Sequence, residues 1–341
     1  MDENEVREKL RTVDDPDLDD DIVSLGLVND VAVEDGVASV SLALGAPYSP
    51  SDSAIADAVR EALADLDLEA DLTAETPVED REVLPDVKNV IAVASGKGGV
   101  GKSTIAANLA AGLSELGAHV GVFDADVYGP NIPHMFGVEG APKATEDETI
   151  IPPERAGVKL MSMGFLVGDD DPVIWRGPMV HKMLSQLIED VQWGSLDYMI
   201  VDLPPGTGDA QLTLLQSVPV TGATIVTTPQ AVALEDARRG LEMFGRHETP
   251  VLGIVENMST FVCPDCGSKH DIFDSGGGKA FAEQREMPFL GAIPLDPSIR
   301  EASDGGPPPV LGEGETADAF RVLTENVADN AAIIHRRRAS N

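Results

Sequence analysis

The sequence predicts an α/β protein: a doubly wound, mostly parallel sheet preceded by a small α/β domain. Three observations lead there. From residue 89 onward, short apolar runs alternate with segments long enough to be helices. The polar residues that could carry chemistry gather where those runs end, and open parallel sheets bind ligands at such strand ends. The first 88 residues differ in composition, holding 25 acidic and 6 basic residues, and in pattern, with an alternating strand pair flanked by helical stretches.

The first domain is read as residues 1–75. Val6 to Val13 has helical character. Leu27 to Val33 and Gly36 to Leu44 alternate like the strands of a hairpin, with Glu34-Asp35-Gly36 as the turn. Ser53 to Leu66 places Ile55, Ala58, Val59, Ala62, Leu63 and Leu66 on one helical face. Residues 76–88 are polar, include Pro77 and Pro85, show no period and read as a linker. The main domain is read as 89–330. Its first strand is the run Val90 to Ala94, and Ile105, Leu109, Leu113 and Leu116 form the apolar face of the helix after it. Later strands are Ala118 to Phe123, Tyr198 to Val201, Ala223 to Thr227, Val251 to Val255 and Phe289 to Ile293. Thr316 to Ile334 reads as a packed helix that frays into a basic end, His335-Arg-Arg-Arg338, with 331–341 taken as a flexible tail.

Composition narrows the function. The chain has 341 residues and is 43% hydrophobic but only 4% aromatic, so its core is aliphatic. Asp and Glu number 59 against 24 Lys and Arg, a net charge of −35. That charge repels nucleic acid and anionic membrane surfaces. Such carboxylate density suits a halophile, where salt screens the self-repulsion. No window of eighteen apolar residues exists, and the start, Met1-Asp-Glu-Asn-Glu-Val, is acidic where a signal peptide is basic. A cytoplasmic protein without stable membrane association is expected. Cys263 and Cys266 are too close and too few for a secreted disulfide framework.

The strongest motif is Gly96-Lys-Gly-Gly-Val-Gly-Lys-Ser-Thr104 after the first strand. It fits the G-x-x-x-x-G-K-[ST] phosphate loop, so Gly96, Lys97, Gly98, Gly99, Val100, Gly101, Lys102, Ser103 and Thr104 are the expected nucleotide-binding residues. The glycines let successive N–H groups face phosphate oxygens, and the helix that follows presents its positive end. Lys102 adds a charge on the outer phosphates and the Ser103 hydroxyl can ligate Mg²⁺. Asp124 and Asp126 leave the second strand in Phe123-Asp-Ala-Asp-Val-Tyr-Gly-Pro-Asn-Ile-Pro133; one can serve the metal and the other orient the attacking water. Asp202 ends the strand of Met199-Ile-Val-Asp-Leu-Pro-Pro-Gly-Thr-Gly-Asp209, the usual position of a second Mg²⁺ partner. Cys263 and Cys266 supply half of a tetrahedral site, which a symmetric dimer can complete. Four thiolates suit [4Fe–4S] or Zn²⁺; a redox pair is the third alternative.

GKGGVGKST as a whole resembles the deviant phosphate loop of the ATPase class that includes MinD, ParA, the nitrogenase iron protein and the Mrp/ApbC iron–sulfur carriers. CPDCG followed by IF and GGG resembles the Mrp/ApbC carriers in particular, and the acidic N-terminal domain resembles the iron–sulfur-assembly domain often fused ahead of them. There Ser49-Pro50 stands where that domain usually has Cys-Pro. The resemblance implies a homodimer sandwiching two nucleotides, with Lys97 acting across the interface on the partner's ATP. It assigns Lys97, Lys102 and Asp126 to catalysis, Asp126 to the water and Asp124 to the metal's outer shell. It makes Asp202 a water-mediated Mg²⁺ partner, Asn257 a reader of the adenine edge and Pro294 part of the base pocket. It further implies a bridging [4Fe–4S] cluster held by Cys263 and Cys266 of both subunits and passed to apo iron–sulfur proteins. The competing readings are a MinD/ParA-like positioning ATPase and a nucleotide switch with structural zinc.

Overall fold

In the computed structural model, residues 2–76, 81–127, 129–147, 149–165, 183–184, 186–263 and 266–340 are described. Residues 77–80 of the expected linker, Tyr128 of the segment after Asp126, and Pro264 and Asp265 between the cysteines lie outside them. The chain forms two compact units, Met1–Glu79 with Ala328–Asn341, and Asp80–Val327.

In the smaller unit, α1 (Glu3–Leu10) opens with a capping box: the Asp2 carboxylate accepts from Glu5 N and the Glu5 carboxylate from Asp2 N. Strands β1 (Val28–Glu34) and β2 (Val37–Leu42) pair antiparallel. Asp35 and Gly36 have φ of 49° and 85°, the left-handed pair that matches a two-residue turn to the strand twist. α2 (Pro50–Ala64) buries Ile55, Val59, Ala62 and Leu63. A third strand, β3 (Glu69–Ala74), runs parallel to β2. The sequence reading has no strand there, because the segment is an exposed edge whose acidic residues Glu69 and Asp71 hide its alternation. Val6, Leu10, Val31, Val40, Val59 and Leu63 meet in one core.

Ser49 is a helix cap in this unit. It is fully buried; its Oγ accepts from Asp52 N at 3.0 Å and donates to Asp329 at 3.0 Å. The flexible tail expected from residue 331 is not observed: the C-terminal helix runs Glu315–Ala339, and Ala331, Ala332, His335 and Arg336 are buried. The cause is a carboxylate cage that the sequence scatters. Arg336 Nε lies 2.8 Å from Asp15, Nη2 2.5 Å from Asp17, and Nη1 pairs with Asp52. Burial, opposed by Arg336, pushes the Asp52 carboxyl from 3.8 up to about 6.

Among the described residues, the larger unit is built on an eight-stranded sheet. Its strands are β4 (Val87–Ser95), β5 (Val120–Asp124), β6 (Glu154–Arg155), β7 (Val158–Ser162), β8 (Leu196–Asp202), β9 (Gly222–Thr227), β10 (Val251–Glu256) and, after a small hairpin of β11 (Phe261–Val262) and β12 (Lys269–His270), β13 (Phe289–Ala292). The order is β13-β10-β9-β4-β8-β5-β7-β6, parallel throughout except for β6 against β7. Helices α3 (Lys102–Glu115), α4 (Asp209–Ser217), α5 (Ala231–Arg246) and α6 (Gly277–Gln284) connect the strands. β5, β8 and β9 are buried along their whole length, as in a parallel sheet covered on both faces. β4 begins at Val87, where it pairs with Leu196, so the last two residues of the expected linker are strand. From β4 the chain passes through α3 to β5, leaving room for β8 between them. The order therefore reverses at β4, and a crevice opens at the carboxyl ends of β4, β8 and β5.

Two outcomes follow for the smaller unit. Arg336→Met leaves buried carboxylates without their counter-ion and is expected to cost about 3–5 kcal/mol in urea unfolding. Because the folded state holds the Asp52 proton more tightly than the unfolded chain does, its contribution is complete below the ordinary 3.8 and lost as pH rises through about 6. Unfolding measured across that window is expected to decline less steeply with pH in Asp52→Asn.

Candidate nucleotide site and cysteine hairpin

The phosphate loop joins β4 to α3. Gly99 and Gly101 have φ of 78° and 83°, and Gly101 is the N-cap of α3. A Cβ on Gly101 would stand 2.1 Å from Asn257 Nδ2, so glycine is required there twice over. At Gly96 a Cβ would meet the Asp236 carbonyl at 2.2 Å, because α5 packs against the loop. Above the loop lies a cavity of about 360 Å³, lined by Gly98, Gly99, Gly101, Lys102, Ser103, Thr104 and Asp126 among others. Lys97 is half-buried at the loop, its carbonyl accepting from Ser95 Oγ at 2.9 Å, and is not among the lining residues; Val100 is buried.

Lys102 is 6% exposed. Its Nζ lies 2.6 Å from Asp202 Oδ1 and 3.7 Å from Asp126 Oδ2. Ser103 Oγ donates to Asp202 Oδ2 at 2.5 Å. The structure thus brings Lys102, Ser103, Asp126 and Asp202 together. Burial pushes the carboxyls of Asp202 and Asp124 up, Asp124 to about 7 with Asp202 adding to the rise; Lys102 opposes this most at Asp202, which it touches.

Asp124 does not reach the cavity. It is fully buried, and its oxygens accept from Asp126 N at 3.2 Å, Ile132 N at 3.1 Å and Ser162 Oγ at 3.0 Å. It holds the segment after β5 in place. Asn257 is likewise engaged by protein: Nδ2 donates to Val100 O at 2.8 Å and Oδ1 accepts from Met258 N at 2.9 Å. It grips the phosphate loop. Pro294 lines a second cavity of about 350 Å³, with Asp296, Ser298 and Thr316. A separate small pocket of about 10 Å³ shares Thr104 and Met135 with the first cavity and Ala302 and Pro309 with the second.

The cysteines sit at the tip of the β11–β12 hairpin. Cys263 N donates to Ser268 O at 2.9 Å and Gly267 N to Cys263 O at 2.8 Å. Cys266 is exposed and Cys263 half-buried. Cys266 Sγ lies 3.2 Å from Ser268 Oγ; that hydroxyl, the Ser268 amide and the Cys263 thiol hold its pKa below the ordinary thiol value, which favours the ligating thiolate. Among the described residues no group of three or more His, Cys, Asp and Glu side chains is placed to hold a metal ion. One chain offers two thiols.

Sequence reasoning missed Glu256 and Ser162. Glu256 is 1% exposed; its oxygens accept from Gly276 N at 3.0 Å and Gly278 N at 2.5 Å, fastening the start of α6 to the end of β10. Its signal was a charged residue closing an apolar strand ahead of a glycine run. Ser162 ends a strand too short to stand out.

A family model described as NUBPL iron-transfer P-loop NTPase matches residues 86–328, and one described as iron-sulfur cluster assembly protein matches residues 3–75. The chain belongs to the iron-transfer P-loop NTPase family. An iron–sulfur cluster carrier protein of Synechocystis sp. is 48% identical over 323 residues, spanning 91% of this chain and 92% of that protein. A nucleotide-binding protein from Archaeoglobus fulgidus in complex with ADP is similar in structure, with a TM-score of 0.57, 40% identity, and coverage of 66% of this chain and 89% of that one. The septum site-determining protein MinD of Pyrococcus horikoshii, complexed with Mg-ADP, has a TM-score of 0.54 at 26% identity, over 72% of this chain and 98% of that one. The doubly wound sheet predicted from the sequence is the sheet of this iron-transfer NTPase.

Gly101→Ala tests the loop geometry. The left-handed backbone alone is worth about 1–3 kcal/mol of strain, and the clash with Asn257 adds to it. The expected result is lowered stability in urea together with loss of nucleotide binding by titration calorimetry.

Proposed function

We propose that this iron-transfer NTPase is an ATP-hydrolysing carrier whose homodimer holds a bridging [4Fe–4S] cluster as cargo and passes it to apo iron–sulfur proteins. One observation carries the reading: a complete phosphate loop and an exposed two-cysteine hairpin occupy the same end of one sheet, in a chain resembling proteins named iron–sulfur cluster carriers. Two thiols per chain are half of a four-thiolate site, so two copies are needed to hold the cargo.

ATP phosphates lie on the loop amides from Gly96 to Thr104, and Lys102 turns from its contact with Asp202 toward the outer phosphates. Ser103 and Asp202 offer the hard oxygens that suit Mg²⁺, which when bound neutralises charge on those phosphates. Asp126, at the cavity wall, orients the attacking water, and Asp124 serves by holding Asp126's backbone. Lys97, half-buried and outside the cavity lining, reaches the nucleotide of the partner copy. The base reaches toward the Pro294 cavity. Hydrolysis changes how the two copies meet and so gates cluster release. The site of action is the cytoplasm; no helix among the described residues is long and apolar enough to cross a membrane. The likeness to MinD is one of fold, and the basic end that could serve a membrane-positioning ATPase is partly spent inside the protein, where Arg336 is caged by carboxylates.

Anaerobic reconstitution with iron and sulfide is expected to give a broad thiolate-to-iron absorbance band and about four irons per dimer. The band is expected to vanish in Cys263→Ala/Cys266→Ala. Tightly bound zinc with no such band would make the site structural and the protein a nucleotide switch. The net charge of −35 makes a halophilic setting part of the proposal. Raising KCl from about 0.1 M to about 1 M, which shortens the screening length from about 10 Å to about 3 Å, is expected to raise the thermal unfolding midpoint.

A further inference from the structure

We infer that Glu256-Asn257, the dipeptide at the end of β10, is the strut through which the phosphate loop and the cysteine hairpin sense each other. The inference rests on the nucleotide reading above and concerns how that site is regulated.

The two side chains face opposite tasks. Asn257 holds the phosphate loop: its Nδ2 donates to Val100 O and packs where a Gly101 side chain would be. Glu256 holds the far root of the hairpin loop, with one oxygen on Gly276 N and the other on Gly278 N. The near root follows Asn257 directly. Met258 takes a left-handed backbone at φ 55° with its N–H on Asn257 Oδ1. Ser259 donates both N and Oγ to Ile293 O, each at 3.0 Å, and Thr260 Oγ1 reaches Asp271 across the loop at 3.1 Å. Cys263 follows three residues later. The segment from Met258 to Gly278 is therefore bolted at both ends to two adjacent residues, and one of them is in contact with the loop that receives phosphate.

The contacts are tight enough to transmit a shift. Glu256 and Asn257 are 1% and 4% exposed, and a Cβ on Gly278 would stand 2.9 Å from Glu256 Cβ. Packed interiors repack between discrete arrangements instead of deforming smoothly. Phosphate drawing the backbone amides around Val100 and Gly101 toward itself moves the carbonyl that Asn257 holds. The strand end then carries that displacement to both roots of the hairpin. By linkage, cargo at the cysteines changes nucleotide affinity by the same factor.

The test is thiol reactivity in the cluster-free, full-length protein. The alkylation rate of Cys263 and Cys266 by iodoacetamide is measured anaerobically with and without a non-hydrolysable ATP analogue and Mg²⁺, and nucleotide Kd is measured by calorimetry. In the wild type, nucleotide is expected to change the rate by about 5-fold or more. Glu256→Gln sets an amide N–H₂ against one of the two N–H donors without changing shape. Its Kd is expected to stay unchanged while the nucleotide effect on alkylation is lost. Gly278→Ala presses on the same carboxylate from the other side and must reproduce that loss; it carries the test if Glu256→Gln does not fold. A nucleotide effect that survives in the variant overturns the strut, as does a wild type that binds nucleotide with no change in thiol reactivity; both leave the carrier reading standing. Absence of nucleotide binding in the wild type overturns the strut and the nucleotide reading together.

Discussion

A buried ammonium against a buried carboxylate organises the larger unit. Lys102 and Asp202 are both withdrawn from water, and neither is tolerable there alone. Their contact demands that the strand carrying Asp202 lie beside the strand that feeds the phosphate loop. β8 accordingly sits next to β4, and the chain must skip over it to reach β5. In that register Asp202 faces Val93 on one side and Asp124 on the other. Two carboxyls now stand on neighbouring strands with one nearby ammonium between three acids. Burial beside Asp202 pushes the Asp124 carboxyl up, while amides and a hydroxyl satisfy its oxygens and oppose that rise; Asp202 keeps the lysine. The crevice that results is shaped to receive phosphate, whose charge can replace the carboxylate as the lysine's partner.

The smaller unit solves the opposite problem with the same elements. Its chain is strongly acidic, and it gathers Asp15, Asp17 and Asp52 around a single arginine near the C-terminus. Closing this cage ties the two ends of the sequence into one compact body. Ser49 belongs to the same arrangement, since its hydroxyl caps α2 and meets Asp329. A residue locked in that way is a structural cap, and both thiols of the chain lie in the hairpin.

Local patterns were legible and distant pairings were not. The phosphate loop, the strands on either side of it and the hairpin turn at Asp35-Gly36 announce themselves within a few residues, because backbone geometry dictates glycine, lysine and apolar alternation there. The contact of Asp124 with Ser162 could not be read, because Ser162 lies 38 residues away in sequence at the end of a five-residue strand. The grip of Asn257 on Val100 spans 157 residues of sequence, so nothing local announces it. The basic end looked free because arginines in a row usually are, and only the folded chain brings it to carboxylates some three hundred positions earlier. β3 was hidden for a different reason: an exposed edge strand carries too little apolar signal to show its period.

In the proposed carrier cycle, cargo held between two copies is handed on under nucleotide control. The most direct measurement mixes the reconstituted dimer with an apo iron–sulfur protein, with and without MgATP, and follows the carrier's absorbance band and the acceptor's recovery together. The acceptor is expected to gain cluster as the carrier loses it, at a rate that MgATP changes. A carrier that keeps its cluster indefinitely beside a competent acceptor, or releases only free iron, would contradict it.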